Sequence, residues 1–574
     1  MKTTEEQEHS KFSLDPSVFR TMQERCAMVQ DPDCPLDVLE TIATYDLDQT
    51  VLEAVYFLPN LTDKIKSILN DRLEEKDDEV LKRKKVLKDY QDKDQRWKVF
   101  CTIPWNHIAT NADGSVRMCC QMTQNDIEPK YGTLYKETSD SNSTYLENKE
   151  AYTGSDDPEE YRNHPALKEI RSAMLKGIDP SICKLCTLEE GQKLASRREG
   201  TKNKYPSLFE RAITHTEPDG TIDTKKFPLQ YLDLRFGNKC NLACRSCGPT
   251  DSNLWYEDFY KLTEEWDPEK KPGGFSYRDH SMMYIEKDKD GKYDVPLINN
   301  WWEDSGLFTH IIENIENIDR YYFTGGEPTI NIKHRQLLDI IIEKGIANKV
   351  HLEYNTNMAG VPSKVFDQWK HFAHVGIGMS LDGMYDHFEY MRYPGRWNKA
   401  LRAMNKIDKE DGFDRLSACV TLTLSIYNVL HVLDFIWWHK EQNFARLQDW
   451  FNISMLYGPD WMNIQNLPNE VKQYIEQRYI QFKQAIDKQW PEDDNRFWRQ
   501  ATKKHLNAVL DHMWKKEAVD QHWDKFFQIT GQLDKIRNEK FSNVCTELIQ
   551  VFRDVKEKES RKKSATLASV GKKR

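Results

Sequence analysis

The chain has 574 residues, with 82 basic against 92 acidic side chains and an isoelectric point near 6.0. That length predicts three or four domains, and the acid excess argues against a general nucleic-acid binder. With a mean hydropathy of −0.78 and no apolar run of about 18 residues, no membrane span is expected. The N-terminus, M-K-T-T-E-E-Q-E-H-S, is polar and acidic, unlike a secretory signal, so a cytoplasmic protein is expected. The 12 cysteines fall mostly in tight groups, which in a cytosol-type chain favours metal sites over disulfides.

Residues 1–98 read as a helical region. Pro35 to Tyr45 and Gln49 to Leu58 carry apolar residues at spacings of three and four. Asp31-Pro32-Asp33-Cys34-Pro35 is echoed by Leu58-Pro59-Asn60-Leu61-Thr62, and Val38 and Ile42 by Ile65 and Leu69. That offset fits a short helical repeat with a packing or protein-contact role. Glu74 to Lys98 is dense in charge and reads as a solvated helix or linker.

Residues 99–204 hold one cysteine set. Asn111 to Ser115 is a turn signal between two strand-like runs, Asn106 to Thr110 and Val116 to Met118. A hairpin there brings Cys101 and either Cys119 or Cys120 toward one end; the spacing after Gly114 favours Cys119. The later C-K-L-C adds Cys183 and Cys186. Four thiolates make a closed site that zinc accepts as readily as an iron–sulfur cluster. His107 and Trp105 read as core or supporting residues. Cys26, Cys34, Cys419 and Cys545 stand apart and read as small buried hydrophobes.

The stretch from Tyr231 to Pro249 is Y-L-D-L-R-F-G-N-K-C-N-L-A-C-R-S-C-G-P. A strand-like run ends in a Gly-Asn turn, and Cys240, Cys244 and Cys247 follow. Three thiolates in one loop leave one iron of a four-iron cluster open, which marks a catalytic site. The C-x3-C-x2-C loop after a first strand resembles the signature of radical S-adenosylmethionine (SAM) enzymes, in which SAM chelates the open iron. One position departs from the family: Ser246 stands where an aromatic residue usually precedes the third cysteine.

Residues 225–460 alternate strand and helix. Strands are predicted at Tyr231–Phe236, Arg320–Phe323, Val350–Tyr354, Val375–Ser380, Ser417–Leu424 and Phe451–Leu456, with amphipathic helices between most of them. The predicted fold is α/β: a partial (β/α)6 radical SAM barrel with its chemistry at the C-terminal strand ends. A small α+β auxiliary domain precedes it and helical regions lie at both ends. Glu265 to Asp304, long and charged, reads as an inserted hairpin or lid. The strand ends then carry the family resemblance. Gly325, Gly326 and Glu327, in G-G-E-P, resemble the segment that receives the SAM ammonium. Asn355 and Ser380-Leu381-Asp382 suit ribose hydroxyls. Arg392 suits the SAM carboxylate, Thr423 stands at the fifth strand, and the backbone at Met455-Leu456-Tyr457 suits adenine.

Taken with that loop, residues 99–204 resemble the SPASM or twitch auxiliary-cluster domain, here placed before the barrel. The segment C-K-L-C-T-L-E-E-G-Q-K-L-A-S-R-R, with Glu189, Ser196 and Arg198, carries that resemblance. The resemblance implies a SAM-binding four-iron cluster (4Fe-4S), SAM and a second, auxiliary 4Fe-4S cluster. It implies reductive cleavage of SAM to a 5′-deoxyadenosyl radical that abstracts hydrogen from a peptide or protein substrate. A reductant such as ferredoxin or flavodoxin is the implied electron donor. The rival readings are the same barrel acting on a nucleoside or sugar, and a non-catalytic metal-cluster scaffold. Beyond the barrel, residues 465–558 read as all helix, with aromatics packing among the helices, and 559–574 as a basic disordered tail.

Overall fold

The computed structural model describes residues 28–29, 34–45, 52, 55–56, 58, 61–72, 94–120, 134–137, 149–152, 156–191, 196–264, 286–287, 289–291, 293–294, 301–303, 306–409, 412, 414–516 and 520–571. The charged segment after Glu74 up to residue 93, Cys26 and most of the expected lid lie outside these residues. The chain divides into two compact units, Met1–Phe100 with Met174–Ile178 and Thr201–Thr214, and the remainder.

In the first unit, helices Leu36–Tyr45 and Asp63–Arg72 bury the two sets of echoed residues in one core: Val38 and Ile42 with Ile65 and Leu69. Trp97 packs edge-on against Phe209, with ring centroids 5.0 Å apart.

The second unit is built on strands β1 (His107–Thr110), β2 (Val116–Arg117), β3 (Tyr135–Glu137), β4 (Lys149–Ala151), β5 (Tyr231–Arg235), β6 (Glu286–Lys287), β7 (Tyr293–Asp294), β8 (Arg320–Thr324), β9 (His351–Thr356), β10 (His374–Ser380), β11 (Leu416–Leu424) and β12 (Leu447–Met455). One eight-stranded sheet runs in the order β12-β11-β10-β9-β8-β5-β1-β2. β5 to β12 within it are all parallel, β1 joins β5 in parallel, and only β2 runs antiparallel. The six predicted barrel strands are therefore present, in sequence order, with helices Ile332–Glu343, Ser363–Trp369, Trp397–Lys409 and His431–Gln442 among their connections.

Parallel sheets covered on both faces usually read as continuous apolar runs. β5 is buried throughout, but β8 to β11 alternate instead. In β11, Leu416, Ala418, Val420, Leu422 and Leu424 are buried, while Ser417, Cys419, Thr421 and Thr423 are half-buried. β9 and β10 repeat the pattern. Period-two patterning puts one apolar face under the helices and leaves a polar face, which the second sequence of residues lines.

Three expectations need correction. The auxiliary segment does not form a unit of its own. Its hairpin is an edge of the barrel sheet, in register His107↔Tyr231 and Ala109↔Asp233, and residues 174–178 and 201–204 fall in the first unit. Backbone pairing between short, apolar β1 and the exposed edge of β5 accounts for the union. The expected tail from residue 559 continues the helix Thr546–Gly571; the run E-S-R-K-K-S-A-T-L-A has no proline or glycine to stop it. The sixth expected barrel strand also begins four residues early, at Leu447. Of the predicted insert, a hairpin of β6 and β7 is described, and Trp301 anchors the insert's end by donating its indole N–H to the Arg235 carbonyl at 2.9 Å.

Candidate functional site

The loop after β5 is held by its own polar residues. Asn238 donates to the Pro249 carbonyl at 2.7 Å and to the Tyr256 hydroxyl at 2.6 Å. The Cys240 amide donates to Asn253 at 2.9 Å, and the Trp255 indole N–H to the Cys244 carbonyl at 2.9 Å. Behind the loop, the Ala243 and Arg245 amides donate to the carbonyls of Tyr393 and Met391, at 2.6 and 2.7 Å. Cys240, Cys244 and Cys247 thus stand on a loop with fixed backbone.

All three line one cavity of about 270 Å³ at the C-terminal ends of the parallel strands. Gly325, Gly326 and Glu327 line it from β8, and Asn355 from β9. Ser380, Arg392 and Thr423 complete it from β10, the following helix and β11. Ser246, Leu456 and Gly458 line it too, so the end of β12 borders the space beside the position where the aromatic residue is missing. Asp382 alone of the predicted set stands behind the wall. It is fully buried, pairs with the Arg392 guanidinium at 2.9 Å and accepts from the Thr423 amide at 2.9 Å.

The glycine pair is required by packing. A Cβ on Gly326 would lie 2.3 Å from the Lys239 carbonyl oxygen, and Gly325 has φ +96°. The Glu327 amide donates to that same carbonyl at 2.8 Å, so β8's end is riveted to the cysteine loop. Glu327 itself is buried and fully engaged. One oxygen accepts from the Thr329 amide (3.1 Å), the Thr329 hydroxyl (2.6 Å) and the Thr356 hydroxyl (2.8 Å); the other accepts from the Asn357 amide (2.8 Å). Burial raises its pKa, against these hydrogen bonds.

The thiols differ electrostatically. Burial pushes Cys240 up to about 12. Cys244 is held below the usual thiol range, first by its contact with the Cys247 thiol and then, against burial, by the Arg392 charge; that same contact raises Cys247. The Arg392 Nη1 lies 3.7 Å from the Cys244 sulfur, and the Leu242 amide lies 3.4 Å from the Cys240 sulfur. N–H groups aimed at sulfur suit thiolates, the form in which cysteine binds metal.

The second cysteine set lies at the other end of β1 and β5. Charges on Cys183 and Cys186 are each felt with that of Cys101, as is that of Cys119. Cys120 takes a different environment: the thiol contact with Cys119, then Arg197, Arg117 and Arg235, lower its pKa against burial. Among the described residues, no group of three or more Cys, His, Asp and Glu side chains closes on one point as the ligands of a single ion would.

The segment that carries the auxiliary-domain resemblance is held together by Glu190. Glu190, not Glu189, binds Ser196 (2.5 Å) and both ends of the Arg198 fork (3.0 and 2.6 Å). Glu189 is held above the usual carboxylate range, at about 7, by burial, then by the charges of Glu190 and Cys120. Sequence reasoning overlooked Arg235 and Asp251, which line the cavity and pair at 3.4 Å; Asn357, in the polar run that ends the third barrel strand, lines it too and donates to Asn241 of the cysteine loop at 2.8 Å. The inward period of Tyr231, Asp233 and Arg235 was the available signal for the first.

No protein-family model matches the chain, and no curated protein is similar to it. Among solved structures, native anSMEcpe with bound AdoMet shares 16% identity over 46% of this chain and 61% of its own, with a TM-score of 0.28. Streptococcus suis SuiB bound to S-adenosylmethionine shares 11% over 57% of this chain and 62% of its own, at 0.25. SuiB bound to precursor peptide SuiA shares 12% over 56% and 64%, at 0.26. The chain spans less than two thirds of the length of each of these proteins. Among the described residues, no helix is long and apolar enough to cross a membrane.

Proposed function

We propose that the chain is a radical SAM enzyme whose substrate is a peptide or protein. One observation carries the reading: the three thiols of the C-x3-C-x2-C loop share a single cavity with Gly325, Gly326, Glu327, Asn355, Ser380, Arg392 and Thr423. These residues are scattered over nearly two hundred positions, and only strand ends of one parallel sheet bring them together.

The residues fit the cofactors. Cys240, Cys244 and Cys247 would hold a 4Fe-4S cluster, the Arg392 guanidinium would meet the SAM carboxylate and the Gly325-Gly326 backbone its ammonium. Asn355, Ser380 and Thr423 offer hydrogen bonds to ribose. Given one electron from a donor such as ferredoxin or flavodoxin, the chemistry such a cluster would supply there is reductive cleavage of SAM. The chain's own part is to orient the sulfonium, exclude water and hold the substrate against the polar face. Asp382 keeps Arg392 aimed, and Glu327 joins the glycine pair to β9 through Thr356 and Asn357. Cys101, Cys119, Cys183 and Cys186 would hold an auxiliary cluster with no open iron, suited to electron transfer. The peptide substrate follows from the resemblance of residues 99–204 to auxiliary-cluster domains.

The test is anaerobic reconstitution followed by assay of SAM cleavage to 5′-deoxyadenosine. Activity that Cys244→Ala abolishes is expected. Protein that carries iron yet never cleaves SAM under strong reductant would refute the enzyme reading.

A further inference from the structure

Arg245 sits between two of the three thiols, in C-R-S-C, and its side chain is fully buried. It points away from the cavity, toward the helical region far along the chain. Its Nη2 donates to Asp534 at 2.6 Å and to Glu539 at 2.8 Å, and its Nε to the Tyr390 carbonyl at 3.0 Å. The guanidinium lies 3.6 Å from the centre of the Tyr390 ring. Tyr390 donates its hydroxyl to Asp534 at 2.8 Å, and Asp534 also takes the Phe541 amide at 2.6 Å.

A second arginine reaches the opposite way. Arg537 ends the helix Asp520–Arg537, and its Nε donates to Asp258 at 2.8 Å. Its guanidinium lies 4.7 Å from the Trp255 ring and 4.8 Å from the Tyr393 ring. Both of those residues hold the loop's backbone: Trp255 at the Cys244 carbonyl, Tyr393 at the Ala243 amide. The two arginines form a reciprocal clasp around the cysteine loop.

We propose that Asp534 to Phe541 is the positioning element of the three-cysteine loop. Through Arg245 it fixes where Cys244 and Cys247 present their sulfurs. Arg245 is a positioning residue: it touches neither the cavity nor the thiols. An ion cluster this deep adds little stability over apolar residues of equal volume, because desolvation offsets the attraction. What it adds is directional. Charged hydrogen bonds accept one geometry, where apolar packing tolerates several. The inference rests on the cluster reading of the loop given above.

The experiment uses the full chain, reconstituted anaerobically. The neutral triple variant Arg245→Met/Asp534→Asn/Glu539→Gln removes the charges together and leaves none unpaired. Its apo form is expected to melt near the wild-type temperature, while SAM binds about tenfold more weakly, the loss of one charged hydrogen bond's worth of geometry. The SAM-induced change in the reduced cluster's electron paramagnetic resonance spectrum is expected to shrink. Arg245→Lys should restore most of both, because a single nitrogen, Nη2, serves both carboxylates. Wild-type SAM affinity and spectrum in the triple variant would overturn the clasp, whatever its melting temperature. Should the triple variant not fold, Glu539→Gln serves alone: a weaker SAM affinity supports the clasp and an unchanged one overturns it. Wild-type protein that takes up no iron at this loop sinks the cluster reading instead, and is told apart because it needs no variant.

Discussion

Glu327 shows how a residue chosen for one role fills another. Four donors meet its carboxylate, from Thr329 twice, Thr356 and Asn357. Glu327→Gln would turn an amide N–H₂ toward one of them. Loss of a hydrogen bond to a buried charged group costs about 1.5–3 kcal/mol, so urea unfolding should shift by that amount and SAM binding should weaken with it. Asp382→Asn probes the wall behind the cavity. It leaves the buried Arg392 without its carboxylate, and breaking a buried pair from one side costs about 3–5 kcal/mol. A lower melting temperature and poorer SAM affinity together are expected, read by calorimetry and equilibrium binding. The two adjacent thiols Cys119 and Cys120 should also separate. Cys119 shares its surroundings with Cys101, while Cys120 faces Arg197, Arg117 and Arg235. Cys119→Ser is expected to lose the auxiliary iron and Cys120→Ser to keep it, as metal analysis will show.

Among the strands, what the sequence made legible followed from period. β8 to β11 lie where apolar residues alternate, because one face meets helices and the other lines a cavity. The ends of those strands were legible for a second reason: glycine, asparagine and arginine fall there against local preference for strand formers. What escaped notice required partners distant in sequence. Nothing near Arg245 announces Asp534 and Glu539, and nothing in H-I-A-T tells that β1 will pair with β5. That Glu190 reaches Arg198 while neighbouring Glu189 does not turns on which side of one helix faces the arginine, and adjacent positions on a helix look alike to a motif. β10 offers a test of the polar face. A Cβ on Gly378 would stand 2.5 Å from the Asn355 side-chain oxygen and 2.7 Å from the Thr421 hydroxyl. Gly378→Ala should therefore displace Asn355 from the cavity and raise the Kd for SAM, at about 1–3 kcal/mol of overpacking, measured by binding and unfolding in parallel.

Taken whole, the second unit joins two sulfur-bearing regions through one sheet. Metal analysis after reconstitution is expected to give about eight irons per chain, the content of two four-iron clusters; about four irons with zinc making up the rest would leave only the SAM site standing. β1 and β5 are neighbours in register, and the two cysteine sets hang from opposite ends of that pair. Five residues of extended chain, about 3.3 Å each, lie between them along β5. Were both sets to hold clusters, an electron passing between them would cross this strand pair, so the inner part of its path would be fixed by backbone hydrogen bonds while the loops at either end set the remainder.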